Sequence, residues 1–200
     1  MLNYTRRAVL GVVLVLAAAF TMPQASSALS NSSAEALIDK VVADINRVIG
    51  SGKSESAMLK DFEGIFERYS DESYIAAYAM GVDARRATSA QKRAFSDAFG
   101  TYISRKYGKR FREFIGGTID VNGVKKVKSW YEVRAVVKLR GKAPFDVTFF
   151  VSDRTGKDLF FNIYIEGVNL LLSEREEIGA MLDRRGGNID AMIADLRAAS

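Results

Sequence analysis

Glu132, Asp146 and Glu166, in the strand-forming part of this 200-residue chain, are its best candidates for a general base. Burial in an apolar pocket would raise such a carboxyl into the range useful for proton abstraction. Each of them, however, alternates with apolar neighbours so that it points away from the apolar face of its strand, the pattern of a solvated or ion-paired group. The chain has no histidine and no cysteine. That composition removes the usual zinc sites and every histidine- or cysteine-based nucleophile system. The turn-like DVNG at 120–123 has too few oxygen ligands for a calcium loop. The expectation is a protein that is not an enzyme and holds neither a metal nor a cofactor.

A second group with chemical potential is cationic. Arg105, Lys106, Lys109, Arg110 and Arg112 crowd the C-terminal half of one long helical segment. They are suited to meet lipid phosphates at a cavity mouth or to dock on an acidic partner. A run of this kind is equally a solvated helix face whose charge complements the helix dipole.

The elements that position these groups follow from periodicity. Leu37, Val41, Ile45 and Val48 recur at helical spacing between Ser33 and Ile49, ahead of Gly50 and Gly52. A second helix is expected from Glu55 to Tyr69, with Leu59, Phe62, Ile65, Phe66 and Tyr69 on one stripe. A short third carries Tyr74, Ile75, Tyr78 and Ala79 and stops near Gly81. Thr88 and Gln91 form a capping box for a long helix running to about Ile115. After Gly116 and Gly117 the apolar period changes to two. Ile119, Val121, Val124 and Val127 flank an Asn122–Gly123 turn or bulge. Three strands then make an antiparallel meander: Tyr131 to Leu139, Phe145 to Val151, and Leu159 to Ile165, the last with Phe161 and Ile163 inward and Phe160 outward. Ser173 and Glu176 read as the capping box of a helix ending at Gly186 and Gly187, and a last helix carries Ile189, Met192, Ile193 and Leu196. Helices, then a sheet, then helices, with the helical layer on one face, is an α+β architecture.

The first residues read as an export signal. Arg6 and Arg7 precede an apolar run from Ala8 to Phe20, then Pro23 and small residues through Ala28. About 13 apolar residues fall short of the roughly 20 that span a bilayer. Cleavage before Leu29, or after Ala25, leaves 29–200 as one domain, with 1–28 as signal peptide and either the general or the twin-arginine route open. Two of the 29 Lys and Arg residues and none of the 24 Asp and Glu fall in that leader, which leaves the remainder at +3. So mild a surplus is far from the basic footprint of a nucleic-acid binder.

The segment IYIEGVNLLLSEREEIGAMLDRRGGNIDAMIADL, Ile163 to Leu196, resembles the C-terminal signature of the MlaC, or toluene-tolerance, family. The block YAMGVDARRATSAQKRAFSDAF, Tyr78 to Phe99, and the aromatic-rich run to Tyr107 resemble it too, so the likeness spans roughly Ser33 to Ala199. The resemblance implies a fold like nuclear transport factor 2 (NTF2-like), in which helices and a strongly curved antiparallel sheet enclose an apolar pocket. It also implies a periplasmic carrier whose cargo is phospholipid. Its implied partners are an inner-membrane ABC transporter complex and an outer-membrane lipoprotein/porin complex, docked transiently by a monomer. A polycyclic, hopanoid-type lipid is an alternative cargo, and a non-catalytic periplasmic adaptor or chaperone an alternative role. With that pocket implied, the expected lipid-binding residues are Phe99, Tyr102, Ile103 and Tyr107 on the long helix, Val137, Phe149 and Ile163 on the sheet, and Val168 and Leu171 after it. The contacts to headgroup or partner are Arg105, Lys109, Arg110 and Arg112. On period alone the nine apolar positions are equally those of an ordinary core.

Overall fold

A computed structural model of the chain describes residues 29–109, 113, 115 and 117–199. The proposed signal segment 1–28 therefore lies outside the described residues, as do Arg110, Phe111, Arg112 and Phe114. Four helices come first: α1 (Asn31–Ile49), α2 (Glu55–Tyr69), α3 (Glu72–Met80) and α4 (Ser89–Gly108). Five strands follow: β1 (Thr118–Val127), β2 (Trp130–Lys138), β3 (Phe145–Ser152), β4 (Leu159–Ile165) and β5 (Val168–Asn169). The chain closes with α5 (Leu170–Arg184) and α6 (Ile189–Ala199). The sheet is a single antiparallel meander in the order β1-β2-β3-β4-β5.

Local chemistry sets most of the boundaries. Ser30 and Ser33 form a reciprocal capping box that starts α1 two residues before the apolar period predicts. Thr88 and Gln91 cap α4 as expected. That helix ends at Gly108 rather than near Ile115. Glycine is a poor helix former, and at this point the α4 backbone comes so close to α2 that a side chain on Gly108 would run into Leu59. Asn122–Gly123 is a bulge within β1 rather than a turn, since pairing with β2 slips between Val121 and Gly123. The tight connection from β4 to β5 is Glu166–Gly167, both at positive φ (49° and 81°), as a two-residue hairpin with primed-turn twist requires.

Two expectations need correction. Pairing between β3 and β4 also slips, with Val151 opposite Phe160 and Phe150 opposite Asn162, so Phe161 is the extra residue. The slip turns Phe160 inward, where it meets Phe66 and Phe149 edge-on at 6.1 and 6.2 Å. Phe161 packs instead against Tyr74 and Trp130. The start of α5 differs as well: Asn169, not Ser173, is its cap, accepting from the Leu172 amide at 3.1 Å. The hairpin delivers Asn169 directly into the helix, and Ser173 lies one turn inside, its hydroxyl donating to the Asn169 carbonyl.

The apolar interior divides in two. One core joins α1 and α2 to the inner face of β1 to β4, around Ile38, Val41, Val133, Val151 and Phe160. The other is made of helices alone, with Ile75, Phe95, Phe99, Ile178, Met192 and Leu196 from α3 to α6. Phe66 touches both. Asp44 on α1 ties the first pair of helices together. It accepts from Arg47 at 2.5 Å, from the Tyr69 hydroxyl at 2.8 Å and from Arg68 at 3.0 Å.

Candidate functional site

Between the two cores the side chains do not close. They leave a cavity of about 690 Å³, within the range of roughly 300–1,000 Å³ typical of small-molecule sites. The helical wall is Val41 and Ile45 of α1, Phe62, Ile65 and Phe66 of α2, Ile75 of α3, and Phe99, Ile103, Ser104 and Tyr107 of α4. The sheet wall is Ile119, Val137, Leu139, Phe145, Val147 and Phe149, with Phe160, Ile163 and Ile165 from β4. Phe161 and Asn162 at the β4 slip also reach it, and Leu170, Leu171 and Glu174 of α5 complete it. The mouth is marked by lining residues that are exposed: Glu113, Lys142, Ala143, Glu166 and Val168, the last 54% exposed. Lys142 and Glu113 form an ion pair there.

Eight of the nine apolar positions expected from the sequence and the resemblance lie around this cavity: Phe99, Ile103, Tyr107, Val137, Phe149, Ile163, Val168 and Leu171. Tyr102 does not. One residue's difference in helical phase turns it into the all-helical core, where its ring stacks on Phe99 at 6.4 Å and its hydroxyl donates to Glu177 at 2.5 Å. Arg105 on α4 and Lys109 just past its end are exposed and are not among the lining residues; Arg110 and Arg112 fall outside the described residues.

The polar part of the wall was not anticipated. Glu174 is 3% exposed, and its Oε1 accepts from Lys106 at 2.7 Å and from the Tyr107 hydroxyl at 2.5 Å. Lys106 pairs with Glu177 as well. Burial works against the Lys106 charge, but the hydrogen bonds to Glu174 and Glu177 outweigh it and hold the ammonium above its ordinary range. Burial, and then the bond to Glu177, pushes the Tyr102 phenol up to about 12. Burial and the bond to Glu174 raise Tyr107 likewise. Both phenols therefore stay protonated as donors at neutral pH. The carboxylates suspected from the sequence take no part in this cluster: Asp146 and Glu166 are exposed, and Glu132 is half-buried in the outward phase of β2, opposite Phe150. In the run SEREEI the buried Glu174 looks like its exposed neighbours, and only its i+3 spacing from Leu171 hints at a shared face.

Asn162 ties the sheet wall to the helical one. Its Oδ1 accepts from the Ile163 amide at 2.8 Å and from the Leu171 amide at 3.2 Å, while its Nδ2 donates to Asn169 at 3.0 Å.

The model of the MlaC protein family matches residues 35–198. The chain belongs to the MlaC family. Among solved structures, a phospholipid-binding protein from Ralstonia solanacearum, determined in complex with a phospholipid, superposes with a TM-score of 0.71 at 18% identity. The match covers 83% of this chain and 96% of that one, so nearly all of the Ralstonia fold has its counterpart here. MlaC membership and this superposition agree with the α+β architecture described above.

Proposed function

We propose that this chain is an exported, non-catalytic carrier that holds the acyl chains of a phospholipid in the cavity between its two cores. The observation that carries the reading is the cavity itself: about 690 Å³, lined mostly by aliphatic and aromatic side chains and bordered by exposed residues such as Lys142 and Val168. An MlaC-family chain whose structural counterpart was solved with a phospholipid fits that reading. An apolar space of this kind has a direct energetic use. Each methylene withdrawn from water gains about 0.8 kcal/mol, so two long chains gross on the order of 25 kcal/mol. Measured against a bilayer nearly all of that gain vanishes, which lets one cavity both load and unload.

Direction then comes from whatever binds the loaded and empty forms differently. In this reading the chain moves through the periplasm as a monomer, between an outer-membrane lipoprotein/porin complex and an inner-membrane ABC transporter complex. The exposed Arg105 and Lys109 serve docking or meet phosphates. The test is transfer of a fluorescent phospholipid by the mature chain into vesicles with and without the inner-membrane complex from the same cell. Acceleration only where the complex is present supports the shuttle; equal rates with both vesicles contradict it.

A further inference from the structure

Two polar atoms on the cavity wall have no hydrogen-bond partner among the described residues: Oε2 of Glu174 and Oγ of Ser104. Both residues are more than nine-tenths buried, at 3% and 7% exposure, and both line the cavity. They belong to one place. Ser104 lies three residues before Tyr107 on α4, which puts the two on one helix face, and the Tyr107 hydroxyl is bound to the other oxygen of Glu174. Glu174 is one helical turn along α5 from Leu171, and Leu171 is three residues from the exposed Val168 at the mouth. The pair therefore lies on the Val168 side of the cavity, on a wall whose other polar groups, Asn162 and the Tyr107 hydroxyl, already have partners.

A buried carboxylate oxygen left bare in such a wall is costly, and a cargo that supplied a donor would remove the cost. The free oxygen itself sets what can meet it. Lys106 is bound to Oε1 of Glu174 and to Glu177, so its ammonium is engaged away from Oε2 of Glu174, an acceptor that only a donor can meet. An ammonium offers such donors and an ionised phosphate offers none.

We infer that Glu174 and Ser104 form a headgroup subsite selecting lipids that end in a primary ammonium, whose N–H groups bond Glu174 Oε2 and Ser104 Oγ while the acyl chains pass inward. This rests on the proposed carrier function and adds to it a preference among phospholipids. A trimethylated ammonium has the same charge and no N–H, so it satisfies neither oxygen.

The test is competitive loading of the mature chain from vesicles holding equal amounts of phosphatidylethanolamine and phosphatidylcholine with identical acyl chains, followed by lipid extraction and mass spectrometry. The wild type is expected to enrich the ethanolamine lipid about tenfold over the vesicle ratio, the factor a hydrogen bond to a charged group supplies. In Glu174→Gln the bound ratio, whatever the total, should return close to that of the vesicles. Ser104→Ala, a small change that leaves the Lys106 and Tyr107 contacts alone, should lower the enrichment by a smaller factor and covers the case in which Glu174→Gln does not fold. Wild-type protein that loads both lipids at the vesicle ratio would overturn the subsite and leave the carrier intact. An enrichment unchanged in folded Ser104→Ala and Glu174→Gln would overturn its placement, and protein that takes up no lipid would overturn the carrier function itself.

Discussion

Replacing Ile163 by aspartate puts the cavity to a quantitative test. Ile163 is half-buried in β4, paired with Phe149 across the ladder, and its side chain lines the cavity at the edge of the sheet-side core. In the empty protein the new carboxylate can be hydrated through the mouth. With an acyl chain in place it must be stripped of water and left unpaired, which costs several kcal/mol. Even 3 kcal/mol weakens loading roughly 100-fold. The fold should tolerate the change: a loss of about 2 kcal/mol in a domain of this size lowers the melting temperature by about 4–8 °C. Phe149→Arg should abolish loading too, but Phe149 is 5% exposed and packed on Phe160. Losing a buried ring alone costs about 3–5 kcal/mol and the arginine charge adds to it, so Ile163 gives the cleaner experiment. The assay is lipid phosphorus per chain after purification, read beside a thermal melt. A folded Ile163→Asp protein that keeps its wild-type lipid content would refute the reasoning.

Other outcomes follow from the same geometry. Tyr102→Phe, which removes the bond to Glu177 in the all-helical core, should cost about 1–2 kcal/mol of stability by chemical denaturation and leave lipid content unchanged. Asn169→Ala removes the α5 cap and the Asn162 Nδ2 partner together. It should lower stability by about 1–3 kcal/mol in the same assay. Asp44 is held below the usual carboxylate range chiefly by the Tyr69 hydroxyl, with burial opposing and Arg47 and Arg68 assisting. Its stabilisation is therefore complete above the ordinary carboxylate pKa and is lost as pH falls through the depressed folded value. Melting temperature should drop more steeply below pH 4 in the wild type than in Asp44→Asn. Leu29 is buried, and its amide donates to Asp153 at 3.1 Å. Cleavage before Leu29 would put an ammonium on that carboxylate, and intact mass of the secreted chain should show Leu29 as the first residue.

The helices were legible because their apolar stripes and caps are local: Thr88 with Gln91, and the Leu37 to Val48 stripe, need no tertiary information. The misreadings share a cause. The slip at Phe161 depends on register with β3, and the true α5 cap depends on the Glu166–Gly167 hairpin carrying Asn169 into place. Alternation and capping-box patterns cannot contain either. The cavity was legible in outline through the resemblance and the aromatic loading of α4. The share of α1 and α2 in its wall was not, since Val41, Ile45, Phe62 and Ile65 carry the same stripe as residues packed solid. Glu174 was hidden for the opposite reason: a single glutamate among charged neighbours reads as surface, and only the approach of α4 buries it.

The most direct test of the central claim is native mass spectrometry of the mature chain from membrane-free periplasmic extract, with identification of whatever dissociates. The expected spectrum is that of a chain carrying a diacyl phospholipid at about one per protein. A clean apo mass that persists after incubation with phospholipid vesicles would contradict it.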